Sequence, residues 1–180
     1  MRHAFLAVIL SLAAGASTTA QAPDTTGTTG TPSQASATLR DAEGRSVGEA
    51  RLEQASNGVL VVLEFTNATP GVHALHIHEA GACDAPSFES AGGHFAPAGR
   101  EHGILNPRGP HAGDLPNIHV PSDRHLTLEY VLPDVTLDPG PRSLLDADGS
   151  AIVMHAGTDD YRTDPAGQAG DRLACGVIVH

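Results

Sequence analysis

Histidine is crowded into one part of this chain. In the stretch HALHIHEAGACDAPSFESAGGHF, His73, His76 and His78 stand within six positions, and His94 follows a Gly-Gly pair. On a strand, His76 and His78 face one side while Leu75 and Ile77 face the other, because side chains alternate. Two neutral imidazoles side by side suit a metal ion, although a lone His-x-His is a weak signal. His102, His111 and Asp114 follow, and His155 closes the segment AIVMH, with Asp159 and Asp160 just beyond. Six histidines and a carboxylate are too many for one tetrahedral site; two metals sharing one ligand use them all. A tetragonal all-nitrogen set favours Cu(II), whereas a closed tetrahedral set of imidazoles with one carboxylate favours Zn(II).

The elements that must position these residues read as β-strands. Short apolar runs (SATLRD, GEARLEQA, GVLVVLEFTN, GVHALHIHEA, RHLTLEYVL, AIVMH and ACGVIVH) are separated by Gly, Pro, Asn and Asp clusters, and no long segment has helical period. The expectation is an all-β fold, a Greek-key β-barrel or sandwich of about eight antiparallel strands with two long functional loops. Those loops run from about Gly81 to Asn117 and from about Ala156 to Asp171, longer than ordinary connections.

The chain has 180 residues, a formal net charge of -11 and no lysine; all ten basic side chains are scattered arginines. One domain is expected. Nucleic acid and anionic membrane surfaces repel such a chain, so neither is an expected partner. Residues 1–22 read as a secretory signal: Arg2 precedes an apolar run from Ala4 to Ala14, too short to span a bilayer. Cleavage falls within 16–22, after Ala14-Gly15-Ala16 or after Ala20-Gln21-Ala22. Residues 23–36, rich in Thr, Ser, Gly and Pro, read as a flexible linker, and the domain occupies 37–180. After signal removal no membrane span is expected, and the product is periplasmic or extracellular. In that oxidising compartment Cys83 and Cys175 read as one disulfide tying the first long loop to the last strand, with two buried free thiols as the alternative.

The segments HALHIHEAGACD, SAGGHFAP, HAGDLPN, HAGTDDY and GQAGDRLACGVI resemble, in order and spacing, the signatures of copper-zinc superoxide dismutase, particularly its bacterial exported form. The likeness covers about residue 37 to the end. It implies a sandwich fold, an enzyme that dismutes superoxide to dioxygen and hydrogen peroxide, steering of the substrate and diffusion-limited turnover, all properties of the family. Carried over, it implies copper on His76, His78, His94 and His155, and zinc on His94, His102, His111 and Asp114. His94 then bridges the metals, and Gly92 and Gly93 let backbone approach a crowded centre. Asp159 orients His76 and His102, Arg172 stands at the channel mouth, and the Cys83–Cys175 disulfide holds the arginine's loop. His94 and Arg172 are the catalytic candidates, the metals protect the cell envelope through this chemistry, and a homodimer is an expected assembly.

Some positions depart from the family. The loop from His155 to Arg172 is shorter than in eukaryotic members and has no lysine, so steering falls to Arg172, with Arg162 as a second candidate. Ala96, Ala166 and Ala82 replace asparagine, threonine and a more polar residue. His73 is assigned a structural role, His119 and His125 face solvent, Tyr130 packs on a strand and Tyr161 in the second long loop. The competing functions are a secreted metal buffer or copper chaperone on the same fold, and an envelope protein stabilised by zinc alone.

Overall fold

The computed structural model describes residues 33–180. The expected signal and most of the expected linker lie outside the described residues. The linker boundary needs one correction: residues 34–36 are strand. Gln34, Ala35 and Ser36 pair with Glu53, Leu52 and Arg51, and Ala35 turns into the core, so a neighbouring strand takes up backbone groups that the local composition assigns to a tether.

Nine strands form among the described residues: β1 (Gln34–Asp41), β2 (Ser46–Ala55), β3 (Gly58–Phe65), β4 (Gly71–His73), β5 (Leu75–His78), β6 (Ile118–Val120), β7 (Leu126–Pro133), β8 (Ala151–His155) and β9 (Arg172–Val177). Seven join one antiparallel sheet in the order β5-β8-β9-β1-β2-β3-β7, and β4 pairs with β6 in a separate ribbon. The alternation that makes β1 a strand is visible in its burial: Ala35, Ala37 and Leu39 point inward and their neighbours outward. Leu39, Leu52, Val61, Leu63, Ile77, Leu132 and Ile152 meet in one core. Each large aliphatic there stabilises the fold by roughly 1.5–3 kcal/mol.

The apolar run GVHALHIHEA is two strands rather than one. Ala74 separates them, because its N–H donates to Gly157 O (2.8 Å) and its carbonyl accepts from His155 N–H (2.9 Å). Its backbone is thus bonded at the exit of β8 rather than in a ladder, and β4 and β5 enter different sheets. β6 is too short for its alternation to register in the sequence. A third long connection, residues 134–150, joins β7 to β8.

Two features place the histidines. β8 is buried on both faces: Ile152 and Met154 enter the main core, while Ala151 and Val153 join a second cluster with Phe88, Ala91 and Cys175. His76 lies opposite Val153 and His78 opposite Ala151, so both face that second side. A register shift between Met154 and His155 then ends the β8–β9 ladder, a device that re-aims a side chain at a strand end. The second feature is the outer edge of β5, which the first long loop covers. Ile77 N–H donates to Gly113 O and Ile77 O accepts from Phe95 N–H (both 2.9 Å), pairing His76 with Asp114 and His78 with His94. A Cβ on Gly113 would stand 2.4 Å from Ile77 O, so only glycine permits this approach.

Candidate metal centre

His76, His78, His94 and His155 each place one donor atom within 4.8 Å of the others, and all four are buried. The second nitrogen of each ring shows which atom is free. His76 Nε2 lies 3.0 Å from Asp159 Oδ2, His78 Nδ1 3.0 Å from Gly92 O and His155 Nδ1 3.3 Å from Gly170 O. With those nitrogens donating, lone pairs remain on His76 Nδ1, His78 Nε2 and His155 Nε2. His76 Nδ1 and His94 Nε2 are buried with no hydrogen-bond partner, and His78 Nε2 faces His155 Nε2 at 3.4 Å. Orphaned nitrogens and opposed lone pairs are costly in a protein interior. A cation among the four nitrogens satisfies all of them, and an all-imidazole set suits copper.

The second cluster gathers on one oxygen. Asp114 Oδ1 lies 2.9 Å from His94 Nδ1, 3.1 Å from His102 Nδ1 and 3.3 Å from His111 Nδ1. Asp114 Oδ2 accepts the backbone N–H groups of Gly103 and His111, which fixes the carboxylate. Donor atoms of His76, His94, His102 and Asp114 also fall within 4.8 Å of one another. His76, however, has Nε2 on Asp159 and Nδ1 directed to the first cluster, whereas His111 Nδ1 is 3.4 Å from His94 Nδ1. His111 Nδ1 is thus a further donor atom beside this group, and three imidazoles with one carboxylate are a set that suits tetrahedral zinc. His94 stands in both clusters, with Nε2 on the first side and Nδ1 on the second.

The electrostatics divide the same way. Burial, reinforced by positive charge on neighbouring groups, pushes His78 down to about 2 and His155 to about 3. Burial also lowers His94, to about 4, against the opposing bond to Asp114. His102 behaves oppositely: burial disfavours its charge, but hydrogen bonds to Asp114 and Asp159 outweigh that and raise it to about 9. Both carboxylates are held well below their usual range, because imidazole donors overcome the burial that would raise them.

Asp159 joins the two clusters. Its Oδ1 is 3.0 Å from His102 Nε2, and its Oδ2 holds His76. Arg172 opens β9 and donates to Phe88 O (2.6 Å) and Gly92 O (2.7 Å). Burial lowers its pKa, yet a guanidinium stays charged. The Cys83–Cys175 disulfide, with the cluster of Phe88 and Ala91, anchors the loop that carries both carbonyls. Gly92 and Gly93 are crowded by Glu79 rather than by the histidines: a Cβ on Gly92 would meet Glu79 Oε1 at 2.9 Å, and that oxygen accepts Gly93 N–H. Arg162 is exposed, and no hydrogen bond ties its side chain among the described residues. His73 is buried between His155 O and Thr69 O, away from both clusters.

Sequence reasoning missed Asn117. Its side chain brackets Asp159, accepting Asp159 N–H (2.8 Å) and donating to Asp159 O (2.9 Å). The residue ends the HAGDLPN segment, and nothing in its local sequence marks a partner 42 positions away.

The family described as copper/zinc superoxide dismutase (SODC) matches residues 46–178, a span holding every residue of both clusters. The chain belongs to the copper/zinc superoxide dismutase family. It is 50% identical over 138 residues to superoxide dismutase (Cu-Zn) 1 of Aquifex aeolicus (strain VF5), covering 76% of this chain and 82% of that one. Among solved structures it resembles a SOD-like protein from Bacillus subtilis, with TM-score 0.77 and 38% identity over 80% of this chain and 97% of that one. The Cu/Zn superoxide dismutase from Brucella abortus aligns with TM-score 0.64 and 28% identity, over 81% and 99%. A copper/zinc superoxide dismutase barrel is therefore the frame that carries the two clusters.

Proposed function

We propose that this chain is an exported superoxide dismutase that holds copper on His76, His78, His94 and His155 and zinc on His94, His102, His111 and Asp114, and so protects the cell envelope. The carrying observation is His94: one buried ring offers Nε2, which has no partner, to one donor set and Nδ1 to the other. A neighbour titled only SOD-like shares the fold, so the complete pair of donor sets, rather than the barrel, supports the activity.

The reaction turns two superoxide ions and two protons into one dioxygen and one hydrogen peroxide. Copper supplies the Cu(II)/Cu(I) couple through which one superoxide loses the electron that another gains, while zinc, without redox chemistry, supplies charge and geometry. The protein's own part is positional. Asp159 fixes the tautomers and ring planes of His76 and His102 together. His94 Nε2 is the atom placed to hold a proton and pass it to the reduced substrate. Arg172, pinned by two carbonyls, offers a fixed positive charge beside His78 and His155, whose acidity it already perturbs. In a chain of net charge -11, that local field is what draws a small anion inward.

Export is supported by the apolar start of the chain and by the Cys83–Cys175 disulfide. Signal removal within 16–22, a domain from Gln34 onward and association into a homodimer complete the proposal; mass spectrometry and sedimentation of the secreted chain test these parts.

Stopped-flow superoxide decay tests the activity on metal-free protein, on protein with zinc, and on protein with zinc and copper, with bound metal quantified in each. Fast decay only with copper, at near-equal copper and zinc, is expected. Tight copper binding without decay would falsify the enzyme reading and favour a metal-handling protein.

A further inference from the structure

Asp159 can hold His76 and His102 at once only if its carboxylate keeps one orientation, and the loop that carries it is irregular. Tyr161, two residues on, meets three separate segments. Its N–H donates to Asp159 Oδ1 (2.6 Å), the oxygen that also receives His102. Its carbonyl accepts Leu105 N–H (3.0 Å). Its phenol oxygen accepts Asn117 N–H (2.8 Å), and Asn117 in turn brackets the backbone of Asp159. Asp164, on the same loop, accepts the N–H of His102 (2.7 Å).

The backbone at Tyr161 is unusual. Its φ is 63°, a left-handed conformation that a bulky L-residue adopts only when its surroundings impose it. The facing chain has made room for this turn. Gly103 has φ 109°, and a Cβ there would stand 2.3 Å from Tyr161 O. Gly167, with φ 62°, leaves the space beside Asp159 Oδ1 that a Cβ would fill at 1.9 Å.

We propose that Tyr161 is a positioning residue: its phenol, by accepting the Asn117 N–H, locks the left-handed turn that aims the Asp159 carboxylate at His76 and His102 together. This deepens the ligand assignment above and rests on it. The phenol touches no donor atom of either cluster; it acts through Asn117 and Asp159, which fall into place when that one bond is made.

Tyr161→Phe removes the acceptor and little else, and Tyr130→Phe, at the chain's other tyrosine, is the control. Zinc affinity is read on the full chain by competition with a colorimetric chelator, and the ring N–H protons of His76 and His102 are followed by NMR in the zinc-loaded protein. Tyr161→Phe is expected to weaken zinc roughly tenfold, within the range for outer-shell partners, and to speed exchange of both ring protons together. Tyr130→Phe leaves both unchanged. Asn117→Ala keeps the backbone N–H that the phenol accepts but removes the side chain that carries the lock on to Asp159, so adding Tyr161→Phe to it costs less than in the native background. Zinc affinity within twofold of native and unaltered ring protons in Tyr161→Phe overturn the inference, as does strict additivity with Asn117→Ala. His102→Ala separates the two readings. Native-like zinc binding in His102→Ala sinks the ligand assignment and the lock with it, whereas loss of zinc there beside an unaffected Tyr161→Phe sinks the lock alone.

Discussion

His76, His78 and His155 stand on hydrogen-bonded strands; His102, His111 and Asp114 stand on a loop that reaches the barrel at one edge. The strand-borne rings are kept neutral by burial, with His78 near 2 and His155 near 3. On the loop side two carboxylates hold a buried imidazole charged, raising His102 to about 9. One half of the centre is thus shaped by the sheet before any metal arrives. The other half is an ion-paired knot in which a proton occupies ground suited to a cation. The contrast is between a half whose rings are placed by strand pairing and a half held by its own charge, and under the proposed assignment the first would carry copper and the second zinc.

The largest effect that sharpens this contrast is expected from His155→Ala. Copper content falls and superoxide decay slows by at least about a hundredfold, on the scale of losses at metal sites, while zinc is retained; loss of zinc as well would erase the division. Asp114→Asn tests the other half. It leaves the strand nitrogens in place but weakens zinc by about a hundredfold, measured by chelator competition. Arg172→Ala touches neither donor set. Metal content stays native, the rate falls by roughly tenfold and its dependence on ionic strength flattens; an unchanged rate and salt slope would refute steering.

The smallest effect is a pH profile of the metal-free protein. His78, His94 and His155 are depressed in the folded state, so their contribution is intact above the unfolded imidazole value of about 6.5 and is lost as pH falls below it. His102 is raised, so its contribution is intact below about 6.5 and is lost as pH climbs through about 9. The melting temperature of metal-free protein is expected to peak near neutrality and decline on both sides. Zinc removes the alkaline decline only, and scanning calorimetry from pH 5 to 10 with and without zinc reads both limbs. An alkaline decline that persists with zinc would contradict the contrast.

Much of this was legible in the residues. Alternation in the β1 and β2 segments reports a half-buried sheet, because burial on a pleated surface has period two, and the unbroken apolar run that opens AIVMH reports a strand covered on both faces. The histidine spacing and the flanking GGH, DLPN and DDY segments carried the resemblance through which the donor sets were read. What stayed hidden depends on contacts distant in sequence. Ala74 breaks a strand because its backbone bonds to Gly157 and His155. Gly92 yields to Glu79, and Asn117 and Tyr161 act across 42 and 44 positions. No local propensity encodes such meetings. Tyr161 even opposes its own preference, since the left-handed conformation it adopts is one that a sequence pattern assigns to glycine.

The covering of β5 has a meaning beyond geometry. A strand at the margin of a sheet offers unpaired amides to any other chain, and proteins usually blunt such margins with charge, proline or a bulge. Here the guard is the loop that brings His94 and Asp114 to the centre. The loop that carries these donor groups therefore also shields LHIH from foreign strands, through Gly113 and Phe95. With Gly113 O and Phe95 N–H already bonded to Ile77, that backbone is closed to intermolecular pairing for as long as the loop stays in place.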